Sequence, residues 1–273
     1  MGNLLNRRGF LVNSAAVATA LGAGAFVGQQ LFADRTDVAA RVDEAPPAHP
    51  LVPALEMATE SMNALEDIHD YQATFIKRER VGRKVVDATM DLKLRENPFS
   101  VYLKFLKPSA GREVIYNAGQ NGGKLQAHDV GFAGLAGTIS LDPTGSYAMA
   151  DNRYPVTMIG MRNLVASLLE QWLEETKLTG MTVNYYPNAR IGSTSCKAIE
   201  SSHKTPAQGV KFQLSRLYIA SDTGLPIRVQ QYEFPGRRER EPVLVEDYLY
   251  TDIKTNIGLT DTDFSTHNPR YGF

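Results

Sequence analysis

Residues 85–108 read VVDATMDLKLRENPFSVYLKFLKP. Val86, Ala88, Met90, Leu92 and Leu94 recur at every second position, with Asp87, Thr89, Asp91, Lys93 and Arg95 between them. A period of two puts the two sets on opposite faces of a strand. Phe99, Val101, Leu103 and Phe105 repeat the pattern against Ser100, Tyr102 and Lys104, and Glu-Asn-Pro-Phe between the runs supplies a turn. The stretch is expected to be a long antiparallel hairpin with one face buried and one in water.

Outward from the hairpin, residues 111–129 (GREVIYNAGQNGGKLQAHD) read as strand, Gly-rich turn, strand. Gly119, Gly122 and Gly123 lack the spacing of a dinucleotide loop and have strands on both sides, so they are read as a hairpin turn. Upstream, Leu55, Ala58, Met62 and Leu65 recur at three- and four-residue steps within 51–69, the signature of one amphipathic helix. From Tyr71 the period changes to two. Residues 131–157 keep no period and are rich in glycine; they are expected to be a long ordered loop, and loops of that length in compact domains are usually functional or mobile. Met161, Leu164, Val165, Leu168, Leu169, Trp172 and Leu173 then mark a second, more apolar helix within 158–177.

Strands are expected again over 181–186, 189–201, 210–220, 226–234 and 242–255. Two of them shift phase midway, Phe212 and Leu214 being followed by Leu217 and Ile219, and Ile227 and Val229 by Tyr232 and Phe234. Such a shift is what a β-bulge produces, and bulges bend sheets. The charge run FPGRRERE (234–241) reads as a solvated hairpin tip. The sum is about nine strands and two helices. The expected fold is α+β, mainly antiparallel β: a strongly curved sheet covered on its apolar, concave face by two helices.

The chain has 273 residues and is 43% hydrophobic, enough for one domain with a substantial core. Between Phe10 and Val27 only Asn13, Ser14 and Thr19 interrupt an apolar, Ala- and Gly-rich run, which marks a targeting segment rather than a fold element. The preceding Arg7 and Arg8, followed by Gly9, Phe10 and Leu11, resemble a twin-arginine export signal. The division expected is an export signal over 1–33, ending at Ala33, a Pro-containing linker over 34–50, and a domain over 51–273. An uncleaved run of this length would just span a bilayer, for which about 20 apolar residues are needed, and would anchor the domain. Localisation is expected in the periplasm or cell envelope. Without residues 1–33 the chain carries 27 basic and 30 acidic residues, a balance that gives no footprint for nucleic acid.

Catalytic constellations are absent from the sequence. The five histidines, 49, 69, 128, 203 and 267, form no i,i+4 pair and none neighbours the single cysteine, so metal-ligand spacing is missing. Gly192-Ser193-Thr194-Ser195-Cys196 is not a nucleophile elbow. Cys196 has no partner for an intramolecular bridge and lies among strand residues, where it reads as a buried apolar filler. No enzyme activity, metal or cofactor is expected.

Taken together, YQATFIKRER (71–80), the hairpin and REVIYNAGQNGGKLQAHD (112–129) resemble the front half of the outer-membrane lipoprotein carrier superfamily that includes LolA, LolB and RseB. YLYTDIKTNIGLTDTDFSTHNPRYGF (248–273) resembles a family of exported bacterial proteins of unknown function within it. The resemblance implies an open half-barrel that holds acyl chains. The cavity residues expected on that basis are Phe75, Met90, Leu92, Leu94, Val101, Leu103, Phe105, Leu168 and Trp172, with a lipid or an acylated protein as partner and membrane association either peripheral or through the N-terminus. An envelope sensor or protein–protein interaction module without a ligand is the alternative, and an enzyme assembled only in three dimensions the third reading. For the export segment, replacing Arg7 and Arg8 by lysine is expected to leave the protein in the cytoplasm, which cell fractionation checks.

Overall fold

The expected hairpin forms with its inward rows in register: β2 (Lys84–Arg95) and β3 (Ser100–Lys107) pair Met90 with Phe105, Leu92 with Leu103 and Leu94 with Val101. In this computed structural model, which describes residues 38, 41–135 and 137–273, the hairpin belongs to a single antiparallel sheet. Its other strands are β1 (Asp70–Val81), β4 (Glu113–Asn117), β5 (Leu125–His128), β6 (Ile139–Leu141), β7 (Met181–Ile191), β8 (Thr194–His203), β9 (Leu214–Ala220), β10 (Pro226–Glu233) and β11 (Val243–Thr255). Their spatial order is β6-β5-β4-β3-β2-β1-β11-β10-β9-β8-β7. The chain therefore runs outward from β1 to one edge, crosses over, and returns inward from the other edge until β11 lies beside β1. The sheet is curved and open, a half-barrel with α1 (Val52–Asn63) and α2 (Met161–Glu175) inside it.

Two strands exceed the nine expected. In β1 the inward row is Tyr71, Ala73, Phe75, Lys77 and Glu79, all buried, so the apolar alternation stops after Phe75 although the strand does not. β6 has only three residues, too few to show a period. The rest of the segment expected as a loop also contains single helical turns at Gly131–Gly134 and Ser146–Met149. Residues 189–201 are not one strand, because a turn at Gly192, with φ of 59°, divides β7 from β8.

The bulges are only partly where the phase shifts place them. β9 pairs with β10 without interruption from Leu214 to Leu217; its inward slot is filled by Ser215, a polar residue that hid the true phase, and Phe212 precedes the strand. In β10 the shift expected between Val229 and Tyr232 is likewise only apparent, Gln231 being a polar residue in an inward slot; the bulge there belongs to β11, whose Val245 is the extra residue, and the bulge of β10 itself lies at Ile227, opposite β9. Part of the expected linker packs on the domain: 41–44 form a short 3-10 turn, and Val38 and Ala45 are buried in the main core.

The helices are antiparallel. Near its start α1 is met by His49, whose Nε2 lies 3.1 Å from the carbonyl of Leu178, just past α2, while Arg162 at the start of α2 donates to the carbonyl of Leu65, just past α1. The fully buried indole of Trp172 donates to Ser201 Oγ of β8 at 2.9 Å, which satisfies its one polar atom. Cys196 is buried and free, and its thiol is pushed above the ordinary range chiefly by burial.

The N-terminus of α2 is fixed to the β1–β11 junction. The N–H groups of Gly160 and Met161 donate to Tyr250 Oη (3.1 Å) and Tyr71 Oη (3.0 Å), satisfying two donors that a helix start leaves without intrahelical partners. Gly160 has φ of 122°, and a Cβ there would stand 2.9 Å from Leu94 Cδ1. Both facts demand glycine. Gly160→Ala is expected to destabilise the protein by about 2 kcal/mol, measurable by urea denaturation.

Candidate ligand-binding site

The inward face of β1–β6 is not covered by the helices alone. Residues 137–160, most of the aperiodic Gly-rich segment, pass over it as a strap together with 131–135, and between strap, sheet and α2 lies a cavity of about 820 Å³. Phe75, Met90, Leu103 and Phe105 form its sheet wall, Leu125, Ile139 and Leu141 its far side, and Leu164 and Leu168 the helix side, with Phe212 and Val229 beyond. α1 contributes no lining residue.

The cavity has one polar end. Inward parity along β1 and β11 brings Lys77, Glu79, Glu246 and Tyr248 together, Lys77 pairing with Tyr248 and Glu79 with Glu246 in the ladder. Lys77 Nζ donates to Glu79 Oε2 at 2.9 Å and to Asn152 Oδ1 of the strap. Tyr248 donates to Glu79 Oε1 at 2.7 Å. Arg153 of the strap donates from Nε to Glu246 Oε1 at 2.9 Å, from Nη1 to the carbonyl of Arg80 at 2.8 Å and from its backbone to Glu79 Oε2 at 3.2 Å. Tyr154 adds a hydrogen bond to Glu246 Oε1 at 2.9 Å. Each buried charge is thus met by an opposite one, the condition under which an apolar interior tolerates it. Burial lifts the Glu246 carboxyl above the usual carboxylate range, and Arg153 opposes that rise. The Tyr248 phenol is pushed far up by burial and by the neighbouring Glu79 and Glu246 carboxylates. At the rim, Arg112 pairs with Asp129 at 2.6 Å and holds that carboxyl below its ordinary range.

Of the nine cavity residues expected from the sequence, Phe75, Met90, Leu103, Phe105 and Leu168 line this space. Leu92, Leu94, Val101 and Trp172 do not; they are fully packed in the core, Leu94 against the Gly160 turn. The export residues Arg7, Arg8, Phe10 and Leu11 lie outside the described residues. The sequence reading missed the polar end. Its signal was present in β1, where Lys77 and Glu79 keep the parity of Tyr71, Ala73 and Phe75. Among the described residues no group of three or more His, Cys, Asp or Glu is placed to hold a metal ion.

The family described as Protein of unknown function (DUF1571) matches residues 68–273, from just before β1 through the last residue. The chain belongs to this family. The sequence reading of a family of unknown function is thereby borne out. No curated protein matches this DUF1571 chain. Similar solved structures include the lipoprotein LppX of Mycobacterium tuberculosis, at 15% identity and a TM-score of 0.45, covering 76% of this chain and 98% of that one. The MucA/MucB complex of Pseudomonas aeruginosa is similar at 15% identity and a TM-score of 0.44, covering 77% of this chain and 59% of that one. A LolA superfamily protein of Nitrosomonas europaea is similar at 12% identity and a TM-score of 0.32, covering 78% and 97%.

Removing the Arg153 guanidinium leaves Glu246 without its cation in a buried setting, whereas Glu79 keeps Lys77 and the backbone N–H of residue 153, so Arg153→Ala is expected to cost about 3 kcal/mol and to make the strap sensitive to proteases. The loss has a pH signature. Glu246 titrates above its unfolded value, and further above it without Arg153, so protonation favours the folded state. The deficit of the variant is therefore full above the folded pKa of Glu246 and shrinks as pH falls through it. Denaturation curves of both proteins across the acid range check this.

Proposed function

We propose that the protein is a non-enzymatic carrier of the cell envelope that holds one hydrophobic ligand, an acyl chain of a lipid or of an acylated protein, in the strap-covered cavity. The observation that carries this reading is the cavity itself: about 820 Å³, with walls of Phe, Met, Leu, Ile and Val side chains and one charged end. Ligand sites of this kind are commonly about 300–1,000 Å³, mostly apolar, with a few placed polar groups. Each buried methylene contributes about 0.8 kcal/mol, so a single chain is held without any reacting group. The polar end suits a ligand with an apolar tail and a polar head, the head lying toward Lys77, Glu246 and the strap.

The sequence supports the cellular setting, through the apolar segment after Arg7 and Arg8 and the division into signal (1–33), linker (34–50) and domain (51–273). Of the expected cavity residues, the five on the wall are proposed as ligand contacts. Leu92, Leu94, Val101 and Trp172 are proposed as the packed base that holds the wall in place.

The test is fluorescent fatty-acid titration together with mass spectrometry of organic extracts of the purified protein. Wild type is expected to bind saturably. Ala127→Trp, which fills the cavity, and Phe105→Asp, which charges a half-buried wall position, are expected to weaken binding at least tenfold while the fold persists. Leu92→Glu places an unpaired charge in the closed core and is expected to cost several kcal/mol and unfold the domain. Absence of saturable binding by wild type, with no lipid in the extracts, would overturn the carrier reading.

A further inference from the structure

The half-barrel has two unlike ends. Because the sheet is antiparallel throughout, its connections alternate between them. The β1–β2, β3–β4, β5–β6, β8–β9 and β10–β11 connections share one end with Asp151 of the strap and the polar part of the cavity, while the strap finishes toward the other end at Gly160. Residues 82–84, 107–112, 204–213 and 234–242 at that end hold nine basic residues, Arg83, Lys84, Lys107, Arg112, Lys204, Lys211, Arg237, Arg238 and Arg240, against two acidic ones, Glu239 and Glu241. Two further acids of the strap side, Asp129 and Asp151, pair with Arg112 and Lys84; the turn before α1 and the end of α2 at the same end add Arg41 and Lys177 against Asp43, Glu44, Glu174 and Glu175, which reduces the positive excess without reversing it. At the opposite end, residues 64–70, 95–99, 118–124, 192–193, 221–225 and 256–258 with Arg162 hold Arg95, Lys124 and Arg162 against Glu66, Asp67, Asp70, Glu96 and Asp222. The mature chain is slightly acidic as a whole, so this is a separation of charge and not a surplus.

Apolar side chains also reach water around the strap, more of them than at the opposite end, where Ile257 is exposed. Tyr147, which lines the cavity, is 72% exposed, and Leu135 of the strap is 79% exposed. Leu106 and Val130, next in sequence to the lining residues Phe105 and Asp129, are also exposed. The start of α1 stands at this end too, as the contact of His49 with Leu178 fixes. A membrane-held N-terminal segment would therefore present the domain with this end toward the bilayer.

We propose that this end docks on the surface of an anionic lipid bilayer, with the basic connections at the headgroups and the apolar rim of Leu106, Val130, Leu135 and Tyr147 at their base, so that the cavity opens onto the lipid. Juxtamembrane clusters of Lys and Arg are attracted to anionic leaflets, and apolar side chains at the same face add to that attraction. The contact is peripheral for the described part, since no helix among the described residues is long and apolar enough to cross a membrane. Docking goes beyond the carrier reading, because it requires the charge separation and not the ligand.

The test is sedimentation of the full chain with vesicles of phosphatidylcholine alone and with about a third phosphatidylglycerol, the attraction being charge-dependent. The double variant Arg237→Glu/Arg238→Glu and the single variant Lys107→Glu change exposed positions and are compared with Lys124→Glu at the opposite end. All share the same N-terminal segment, so differences among them report on the domain. Roughly tenfold weaker partition of the double variant, a smaller loss for Lys107→Glu, no loss for Lys124→Glu and a wild-type affinity that falls with salt are expected. Loop variants that partition like wild type, or a Lys124→Glu variant that loses as much as they do, overturn the proposal and leave the basic end to an acidic protein partner.

Discussion

The pairing of β1 with β11 is the constraint from which the rest of the architecture follows. It joins residues such as Phe75 and Tyr250, far apart in sequence, and it is the one seam between two meanders whose other neighbours are nearly all local. A contact of such separation costs chain entropy before it returns anything. The return is concentrated at the seam itself. Phe75 stacks on Tyr250 with ring centroids 4.9 Å apart, Tyr71 meets Tyr250 edge-on, and both phenol oxygens accept hydrogen bonds at the start of α2. Asp70, at the same seam, accepts hydrogen bonds from the backbones of Ile257 and Leu259. The crossover from one meander to the other is thereby tied to the middle of the sheet rather than left to span it freely.

That tie bears on why the inner face encloses a cavity. The helices fill the inner face on the β8–β10 side, where Trp172, Ile199, Leu217 and Ile227 are closely packed. On the β1–β6 side the covering element is the strap, held at its C-terminal end by the Gly160 turn and further in by polar contacts: Lys77 to Asn152, the Arg153 guanidinium to Glu246 and the Arg153 backbone N–H to Glu79. The strap lines the space with Ile139, Leu141, Tyr147, Tyr154 and Met158 but does not fill it. Its grip combines these polar contacts with the β5–β6 ladder and with Leu141, Tyr154, Val156 and Ile159 packed on the core.

How much of this was legible in the sequence varied with the regularity of the signal. The hairpin of β2 and β3 was plain because ten consecutive residues alternate without exception, and α2 because its apolar face is broad. β1 was half visible: its apolar row ends at Phe75 and gives way to Lys77 and Glu79, and a strand whose inward face is charged looks, from sequence, like one whose faces have no preference. The same ambiguity produced the misplaced bulge in β9, where Ser215 occupies an inward slot between Leu214, which does not, and Leu217, which does. For the site, alternation identified the face but not the depth. Leu92 and Leu103 are cross-strand partners of the same chemical type, yet one is closed in the core and the other borders the cavity. That difference is set by what lies opposite, the strap and α2, and such long-range placement leaves no local trace.

The solitary thiol of Cys196 carries a last consequence. Small exported domains often depend on cross-links formed after they leave the reducing cytoplasm. This fold has no such dependence: its one sulfhydryl is sealed beneath the sheet, and its rigidity comes from backbone ladders, aromatic stacking and paired charges. The polypeptide is therefore indifferent to redox surroundings while it folds, and can reach the same final shape on either side of a membrane.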